Sequence, residues 1–230
     1  MLEDDDGIRL SLAMALEDEG YETTFHAAAE AALRDPRLEG VDVLLVDLML
    51  GGMDGFEFIR EVRRRTDVPV IVLSAKADTH DIVAALEAGA DDYVTKPFEI
   101  KEVSARLRAL RRRRPMAQPG TSDAVPAPVV LDPAHGPLVL DTAAGTVRRG
   151  DDEVHVTVTE YRLLRELAAS AGHVLSRQVL LERVWEHGYF GDERIVDVHV
   201  RRLRTKIEVD ASDPRLLVTV RGLGYRLDLA

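Results

Sequence analysis

The sequence predicts two domains of different fold class: an α/β domain on a doubly wound parallel sheet, then an α+β domain of three helices and a β-hairpin. Three observations lead to this prediction. Short, nearly continuous apolar runs alternate with helical patterns over the first 110 residues, which is typical of a parallel sheet covered by helices. A proline-rich segment follows. The remaining residues show three helical patterns before a hairpin pattern.

The strands of the first domain are predicted at 41–47 and 68–74, which are rich in Val, Leu and Ile, and at 91–97. Runs of this kind suit strands that are buried on both faces of a parallel sheet. Helical spacing fills the intervals at 56–65 and 79–88. In such sheets, functional sites form where the carboxyl ends of the strands meet.

A linker is predicted between the two domains, because five of the ten prolines lie between residues 110 and 136, with Gly, Ser and Ala among them. This composition buries little apolar surface and disfavours packed structure. We therefore expect the first domain at 1–113, a flexible linker at 114–136 and the second domain at 137–230.

The second domain is predicted to begin with a helix at 156–170, for which Thr159 is the expected N-cap residue. Ser176 is expected to cap a second helix, and residues 192–208 are predicted to form the third. Residues 216–229 are then predicted to form a hairpin with its turn at 221–224. Three helices followed by a β-hairpin are the outline of a winged helix.

Composition and charge restrict the classes of function. The net charge is −11; residues 1–110 carry 24 acidic and 12 basic residues, whereas residues 137–230 carry 15 and 14. An acidic first domain argues against nucleic-acid binding there, while five cations and one anion within 194–206 form a basic strip in the second. The absence of cysteine excludes disulfides and Cys-ligated metals. Since the sequence shows neither a membrane-spanning apolar stretch nor a signal-peptide pattern, we expect a cytoplasmic protein without a membrane partner.

Polar side chains collect at the carboxyl edge of the predicted parallel sheet. Asp47 ends one strand, Ser74 ends another, Lys96 follows a third, and Glu3 and Asp4 lie at the end of a preceding strand. Considered alone, Asp47 could simply mark the point where a strand ends in a loop. Residues 3–6 alone could simply form a solvated acidic turn. Together, converging carboxylates favour a hard cation such as Mg²⁺. A carboxylate can also act as a covalent nucleophile that forms an aspartyl phosphate, and a lysine and a hydroxyl can bind its phosphoryl oxygens.

The third helix of the second domain has one apolar and one basic face. At about 100° per residue, one stripe contains Val196, Val200, Leu203 and Ile207. The opposite face contains Arg194, Val198, Arg201, Arg202 and Thr205. Arginine can bind guanine or phosphate, and valine can contact thymine methyl groups, so this face suits a DNA major groove.

Three further residues are placed around this face. His199 and Arg204 flank it and are expected at backbone phosphates, and Arg221 in the hairpin turn is expected in a minor groove. A solvated helix face and an ordinary surface histidine are the alternative interpretations of the basic strip and of His199. Trp185 and Tyr225 are expected to pack in the domain rather than to stack on bases.

Several motifs resemble a known family. EDD, DLMLGGMDG, LSAKAD and GADDYVTKPF resemble the receiver domains of two-component response regulators. TEYRLLRELA, RIVDVHVRRLRTKI and VTVRGLGYR resemble the OmpR/PhoB-type effector domain. The resemblance covers nearly the whole chain apart from the linker. It implies a flavodoxin-like receiver domain followed by a winged helix-turn-helix domain.

The resemblance also implies roles for the residues at the strand ends. Asp47 becomes the phosphoacceptor, Lys96 contacts the phosphoryl group, and the Lys96–Pro97 peptide bond is expected to be cis. Mg²⁺ is the implied cofactor, with Asp4 as its principal acidic ligand, Glu3 acting through water, and the backbone carbonyl of Met49 as a further ligand. Ser74 and Tyr93 are the implied switch residues.

The implied function is a transcription regulator rather than an enzyme, one that assists only its own Mg²⁺-dependent phosphorylation. A sensor histidine kinase is expected to phosphorylate the chain and so promote homodimerisation and sequence-specific binding to double-stranded promoter DNA, with RNA polymerase as a further partner. The implied dimer interface contains Asp91, Asp92, Glu102, Arg106 and Arg113.

Three departures from the family pattern leave alternatives open. Only Met1 and Leu2 precede the acidic cluster where relatives have a full strand, Gly51 stands where relatives usually carry proline, and Ile82 replaces a common basic residue on the fourth helix. The short first strand makes a winged-helix regulator that works without phosphorylation the main alternative, although the complete set of site residues argues against it. A Mg²⁺-dependent phosphatase would need a general acid at the position of Met49, and a protein-interaction adaptor would not need the arginine face.

Overall fold

The protein divides into two compact units, Met1–Arg111 and Arg112–Ala230. A computed structural model describes residues 1–111, 128–134, 136–185 and 192–229. Among these residues, no helix combines the length and the apolar character that crossing a membrane requires.

The N-terminal unit is a parallel sheet covered by helices. Its strands lie in the order β1-β2-β3 and run parallel. They are β1 Leu44–Val46, β2 Val70–Ser74 and β3 Asp92–Thr95. The helices are α1 Asp6–Asp18, α2 Ala29–Arg34, α3 Gly55–Arg63, α4 Thr79–Ala88 and α5 Ile100–Arg111, with a 3₁₀ turn at Pro36–Glu39. The predicted doubly wound α/β architecture is confirmed.

The apolar runs form strands because their side chains are buried on both faces. All of β1 and β2 is buried, and a core cluster that includes Ile71, Leu73 and Leu107 joins the sheet to α5. Each strand is shorter than its predicted run, whereas α4 has the predicted bounds. Asp78 begins α4 by accepting a hydrogen bond from the His80 amide at 2.8 Å.

The chain start occupies an inner position of this sheet. Leu2 donates its amide to the Leu45 carbonyl at 2.8 Å and accepts from the Asp47 amide at 2.9 Å. On the other side, the His26 amide donates to the Met1 carbonyl at 2.9 Å. Thus Leu2 pairs with the segments on both sides, directly beside the acidic cluster. Burial lowers the pKa of the Met1 amino group to about 6.

A cavity of about 420 Å³ borders Met1. Its lining includes apolar side chains from α1, β1 and α5, namely Leu16, Leu45 and Leu107, together with polar and charged residues such as Arg37. Apolar side chains that line such a space lack packing partners on one side.

The C-terminal unit combines an antiparallel sheet, three helices and a hairpin. The sheet has the order β4-β5-β6-β7, from β4 Val129–Asp132, β5 Leu138–Asp141, β6 Thr146–Arg149 and β7 Asp152–Glu153. The helices are α6 Val158–Ala169, α7 Arg177–Val184 and α8 Arg194–Ile207, and the hairpin is β8 Leu217–Val220 with β9 Gly224–Leu227. The predicted winged-helix outline is confirmed.

The predicted linker boundary at residue 136 requires correction. Residues 129–132 form β4, which pairs with β5, and Leu131 is fully buried. The prolines at 128 and 133 flank this short VVLD run, so its composition resembled a loop although Leu131 enters the core. The sheet that contains β4–β7 was not predicted.

Of the two predicted N-caps in this unit, the one for α6 requires correction and the one for α7 agrees with the structure. Thr157, not Thr159, caps α6: its hydroxyl accepts from the Glu160 amide, and the Glu160 carboxylate accepts from the Thr157 amide at 2.9 Å. Thr159 is buried inside the first turn. Ser176 caps α7 as predicted, accepting from the Val179 amide at 3.2 Å.

We predict that an upstream extension of four or five β-branched residues raises the melting temperature of the chain. The extension would fill the cavity beside Met1 and add ladder hydrogen bonds, each contributing about 0.5–1.5 kcal/mol. Thermal unfolding measures the effect, and Mg²⁺ affinity is a second readout, because Asp4 follows the same strand. A Gly/Ser extension of equal length is the matched control, since it displaces the terminal amine without filling the cavity. Equal melting temperatures and Mg²⁺ affinities for all three chains would show that the short start is structurally complete.

Candidate functional site

The centre of the N-terminal site is a lysine between two buried carboxylates. Lys96 Nζ lies 2.6 Å from Asp47 Oδ2 and 2.8 and 3.0 Å from the two carboxylate oxygens of Glu3. Asp47 follows β1, Glu3 follows the pairing residue Leu2, and Lys96 follows β3. The parallel register therefore brings the three charges together at the carboxyl edge, as predicted.

Burial sets the electrostatics of this cluster. It raises the pKa of Glu3, although Lys96 acts in the opposite direction. Burial alone would lower the pKa of Lys96, but its hydrogen bonds to Asp47 and Glu3 outweigh that effect and raise the pKa. Lys96 therefore stays protonated and is shared by two carboxylates.

The acidic cluster has the chemistry of a hard-cation site. One carboxylate oxygen from each of Glu3, Asp4 and Asp47 lies within 4.8 Å of the others. Oxygen donors at this spacing suit Mg²⁺. Glu3 places both oxygens on Lys96, whereas Asp4 is exposed. The Met49 amide donates to Asp47 Oδ1 at 2.9 Å, so the Met49 backbone lies beside the phosphoacceptor candidate.

The two predicted switch residues lie on the neighbouring strands. Ser74 ends β2 and is buried, and its hydroxyl accepts from the Lys76 amide at 3.4 Å. The buried Tyr93 in β3 donates its hydroxyl to the Lys76 carbonyl at 2.5 Å, and burial raises its pKa. Both side chains thus contact the loop that follows β2. The Lys96–Pro97 bond is cis, as the resemblance implies.

Glu30 contacts the loop that follows Asp47, a role that the sequence did not reveal. Glu30 Oε1 accepts a hydrogen bond from the Met53 amide at 3.1 Å. The neighbouring Gly52 has φ +97°, and a Cβ there would lie 3.1 Å from Glu30 Oε1. Hydrogen bonds from the Glu30 and Met53 amides lower the pKa of Glu30. The helix α2 thereby holds a loop that has glycine, not proline, at 51.

The predicted dimer residues are paired within the protomer. Asp91 is fully buried: it accepts from Arg63 at 2.7 Å and from the Val70 amide at 2.9 Å. Its expected place on an interface is therefore corrected. Arg106 binds Asp92 at 3.0 Å and Glu102 at 2.6 Å. Arg113 lies outside the described residues.

The predicted DNA face of α8 requires two corrections. Val198 and His199 are buried, and the His199 ring packs 5.2 Å from the ring of Trp185. Helical arithmetic gives the direction of a side chain but not which neighbours cover it. Here α8 is covered over more than the predicted apolar stripe.

Two of the arginines that were predicted to bind DNA form contacts within the domain instead. Arg202 lies 3.0 Å from the buried carboxylate of Glu160, which also binds Lys206 at 2.6 Å. Arg204 donates to the Leu217 carbonyl at 2.8 and 2.6 Å and to Thr219 Oγ1 at 2.8 Å. These contacts explain the positions of both side chains without DNA.

The remaining predicted DNA residues are exposed. Arg194, Arg201 and Thr205 lie on the outer surface of α8, and Arg221 lies in the hairpin turn. The side chain of Arg194 is 60% exposed and lies 3.6 Å from Asp192. A smaller basic face thus remains on one helix and one turn.

A glycine fixes the start of the hairpin strand β9. Gly224 has φ +144°, and a Cβ at this position would overlap the Leu175 carbonyl. The amide of Leu175 donates to the Tyr225 carbonyl at 2.8 Å, and the amide of Tyr225 donates back at 2.9 Å. The hairpin is therefore packed directly on the turn before α7.

Fold and site together define a receiver domain with a carboxylate cluster at its sheet edge, followed by a winged-helix domain with exposed arginines. Residues 1–108 match the family described as response regulator receiver domain, and residues 151–227 match the family described as transcriptional regulatory protein, C terminal. The chain belongs to the OmpR/PhoB-type response regulators of two-component systems.

Named relatives align along nearly the whole chain. The chain is 43% identical to the transcriptional regulatory protein AfsQ1 of Streptomyces coelicolor, covering 99% of this chain and 96% of AfsQ1. It is 42% identical to the sensory transduction protein RegX3 of Mycobacterium tuberculosis, covering 99% and 97%. Among solved structures, a mutant of RitR matches with a TM-score of 0.70 at 27% identity, covering 98% of this chain and 96% of the RitR chain.

We predict that Glu30→Ala weakens Mg²⁺ binding by about threefold to tenfold, because the loop that carries the Met49 carbonyl loses its hydrogen bond from the Met53 amide to Glu30. Calorimetric Mg²⁺ titration of the full chain measures the affinity, and hydrogen exchange at the Met53 amide reports on the bond itself. Glu30→Gln is the matched control, since its amide oxygen can still accept from Met53. Faster exchange at Met53 with unchanged Mg²⁺ affinity would show that the loop does not need this contact.

Proposed function

We propose that phosphorylation of Asp47 controls the output of this response regulator. The observation that carries the proposal is the Lys96 ammonium held between the carboxylates of Asp47 and Glu3. A buried carboxylate with a fixed cation beside it is arranged to accept a phosphoryl group, whose added negative charge the cation can offset. A sensor histidine kinase is the proposed donor.

The proposed transfer is an in-line displacement at phosphorus. An oxygen of Asp47 attacks the phosphoryl group of a phosphohistidine, the new P–O bond forms, the P–N bond breaks, and the imidazole leaves with the electron pair. Lys96 and the Ser74 hydroxyl would bind phosphoryl oxygens. Asp4, Asp47 and the Met49 carbonyl would hold Mg²⁺, with Glu3 acting through water, and the ion would supply further charge neutralisation.

We further propose that Ser74 and Tyr93 transmit the change to the face formed by α4, β3 and α5. Both residues contact the Lys76 backbone in the loop that precedes α4. The charged residues Asp92, Glu102 and Arg106 are proposed, with Arg113, to form a homodimer at this face. Because Asp92 is buried against Arg106, the proposed homodimer would exchange this pair within the protomer for contacts between protomers.

The proposed output is binding to promoter DNA in the cytoplasm, with RNA polymerase as the downstream partner. The exposed residues Arg194, Arg201 and Thr205 would enter a major groove, and Arg221 an adjacent minor groove. Two protomers would bind half-sites roughly one helical turn apart. Whether transcription rises or falls depends on the position of the site in the promoter.

We predict that the chain gains one phosphoryl group when it is incubated with a small-molecule phosphodonor and Mg²⁺. Intact-mass spectrometry measures the gain. Asp47→Asn should gain none, because an amide cannot form the acyl phosphate, and chelation of Mg²⁺ should slow the reaction of the parent chain. Equal phosphorylation of parent and Asp47→Asn would contradict the assignment. DNA binding that is identical with and without phosphate on Asp47 would instead favour the regulator that works without phosphorylation.

We predict opposite behaviour for two neighbouring arginines of α8. Arg201→Ala should weaken DNA binding by about 1–3 kcal/mol and relax specificity at one base position, with little change in unfolding. Arg202→Ala should instead lower the melting temperature, because buried Glu160 loses a cationic partner. Binding titrations against single-base variants and thermal unfolding separate the two effects. Unchanged binding after Ala replaces Arg194, Arg201 and Arg221 together would refute this DNA face.

A further inference from the structure

The three elements nearest the proposed DNA face meet at one cluster of side chains. The Tyr225 hydroxyl in β9 donates to Asp197 Oδ1 at 2.6 Å. Arg177 Nε, at the start of α7, donates to the same oxygen at 2.7 Å, and its Nη2 donates to the Tyr225 hydroxyl at 3.3 Å. Asp197 lies in the first turn of α8. One carboxylate oxygen therefore joins α7, α8 and the hairpin.

A second arginine extends the cluster along the hairpin. The guanidinium of Arg204 lies 5.7 Å from the centre of the Tyr225 ring, and that of Arg177 lies 5.0 Å from it. Both distances fall within the range of cation–π attraction. Since Arg204 also donates to the Leu217 carbonyl and to Thr219, α8 contacts both strands of the hairpin through one ring and one guanidinium.

The Tyr225 hydroxyl is the centre of this arrangement. Tyr225 is buried, so its hydroxyl requires a partner within the protein. Burial, together with the Asp197 carboxylate that accepts the hydrogen bond of the hydroxyl, raises the pKa of Tyr225 to about 12. The phenol therefore remains a donor, and the geometry of the hydrogen bond ties β9 to the first turn of α8.

The position of Asp197 on α8 is otherwise unfavourable for DNA binding. It stands between Arg194 and Arg201, three residues after one and four before the other, where a carboxylate repels phosphate. Its contacts with Arg177 and Tyr225 give it a different task, because they offset its charge and direct it at the hairpin.

We propose that Tyr225 and Asp197 are positioning residues that brace the hairpin turn against α8, so that Arg221 enters its groove in register with Arg194 and Arg201. The proposal deepens the DNA-binding function and rests on it. A braced turn loses less conformational freedom on binding than a free one, so more of the Arg221 contact appears as affinity.

The test measures how much Arg221 contributes with and without the brace. Full-length chain, phosphorylated by a small-molecule donor, first selects a duplex from a random pool, and that duplex is the probe. Arg221→Ala is then introduced into the parent chain, into Tyr225→Phe and into Asp228→Asn. Tyr225→Phe keeps the ring and removes the hydroxyl. Asp228→Asn is the matched control, because Asp228 also forms a polar side-chain contact in the same hairpin segment. Its two carboxylate oxygens accept from Arg226 Nε at 2.5 Å and from Arg226 Nη2 at 2.7 Å.

In the parent and in Asp228→Asn, Arg221→Ala should weaken binding by about fivefold or more. In Tyr225→Phe the same substitution should weaken binding by only about twofold or less. A loss of global stability would not change this ratio, and unfolding curves of each variant identify such a loss. An equal effect of Arg221→Ala in all three backgrounds would overturn the brace and leave the DNA face intact. A parent chain that selects no duplex would overturn the DNA-binding proposal and the brace with it.

Discussion

The receiver domain depends on one interaction, the Lys96 ammonium shared by the buried carboxylates of Glu3 and Asp47. Two carboxylates at this distance repel each other, and neither is well hydrated. A single fixed cation makes their juxtaposition tolerable but leaves one negative charge unbalanced. That imbalance is what a divalent cation would relieve, and a phosphoryl group on Asp47 would add further negative charge at the same edge.

The sheet register positions these charges. Leu2 pairs with both of its neighbours, so Glu3 leaves the sheet directly beside Asp47. The carboxylate of Glu3 that binds Lys96 is therefore positioned by the backbone pairing of Leu2. The local stability of that pairing and the chemistry at the site are coupled for this reason.

Sequence periodicity predicted the parts of the fold that local physics decides. The apolar runs of β1 and β2, the bounds of α4, the Ser176 cap and the hairpin agree with the structure. The convergence of Glu3, Asp47 and Lys96 followed from one rule about parallel strands. The β4–β7 sheet was missed because its strands have four residues or fewer and lie among prolines, glycines and charges.

The errors at the sites have a different physical origin. A helical wheel assigns directions to Val198, His199 and Arg202, but only tertiary packing shows that Trp185 and Glu160 cover or bind them. The same holds for Asp91, which the resemblance placed on an interface but whose partner is Arg63 at the end of α3. The contacts of Glu30 and Asp197 likewise join elements distant in sequence, so no local pattern announces them.

The central claim is that phosphorylation of Asp47 in one domain controls DNA binding by the other. Fluorescence-anisotropy titration of a duplex selected by the phosphorylated chain tests it most directly, with parent chain and Asp47→Asn each measured before and after treatment with phosphodonor and Mg²⁺. Treatment should tighten DNA binding by the parent chain and make its binding curve steeper, since two protomers then bind together. The binding curve of Asp47→Asn should stay unchanged. The same shift in both chains, or no shift in a parent shown by mass to be phosphorylated, would contradict the account.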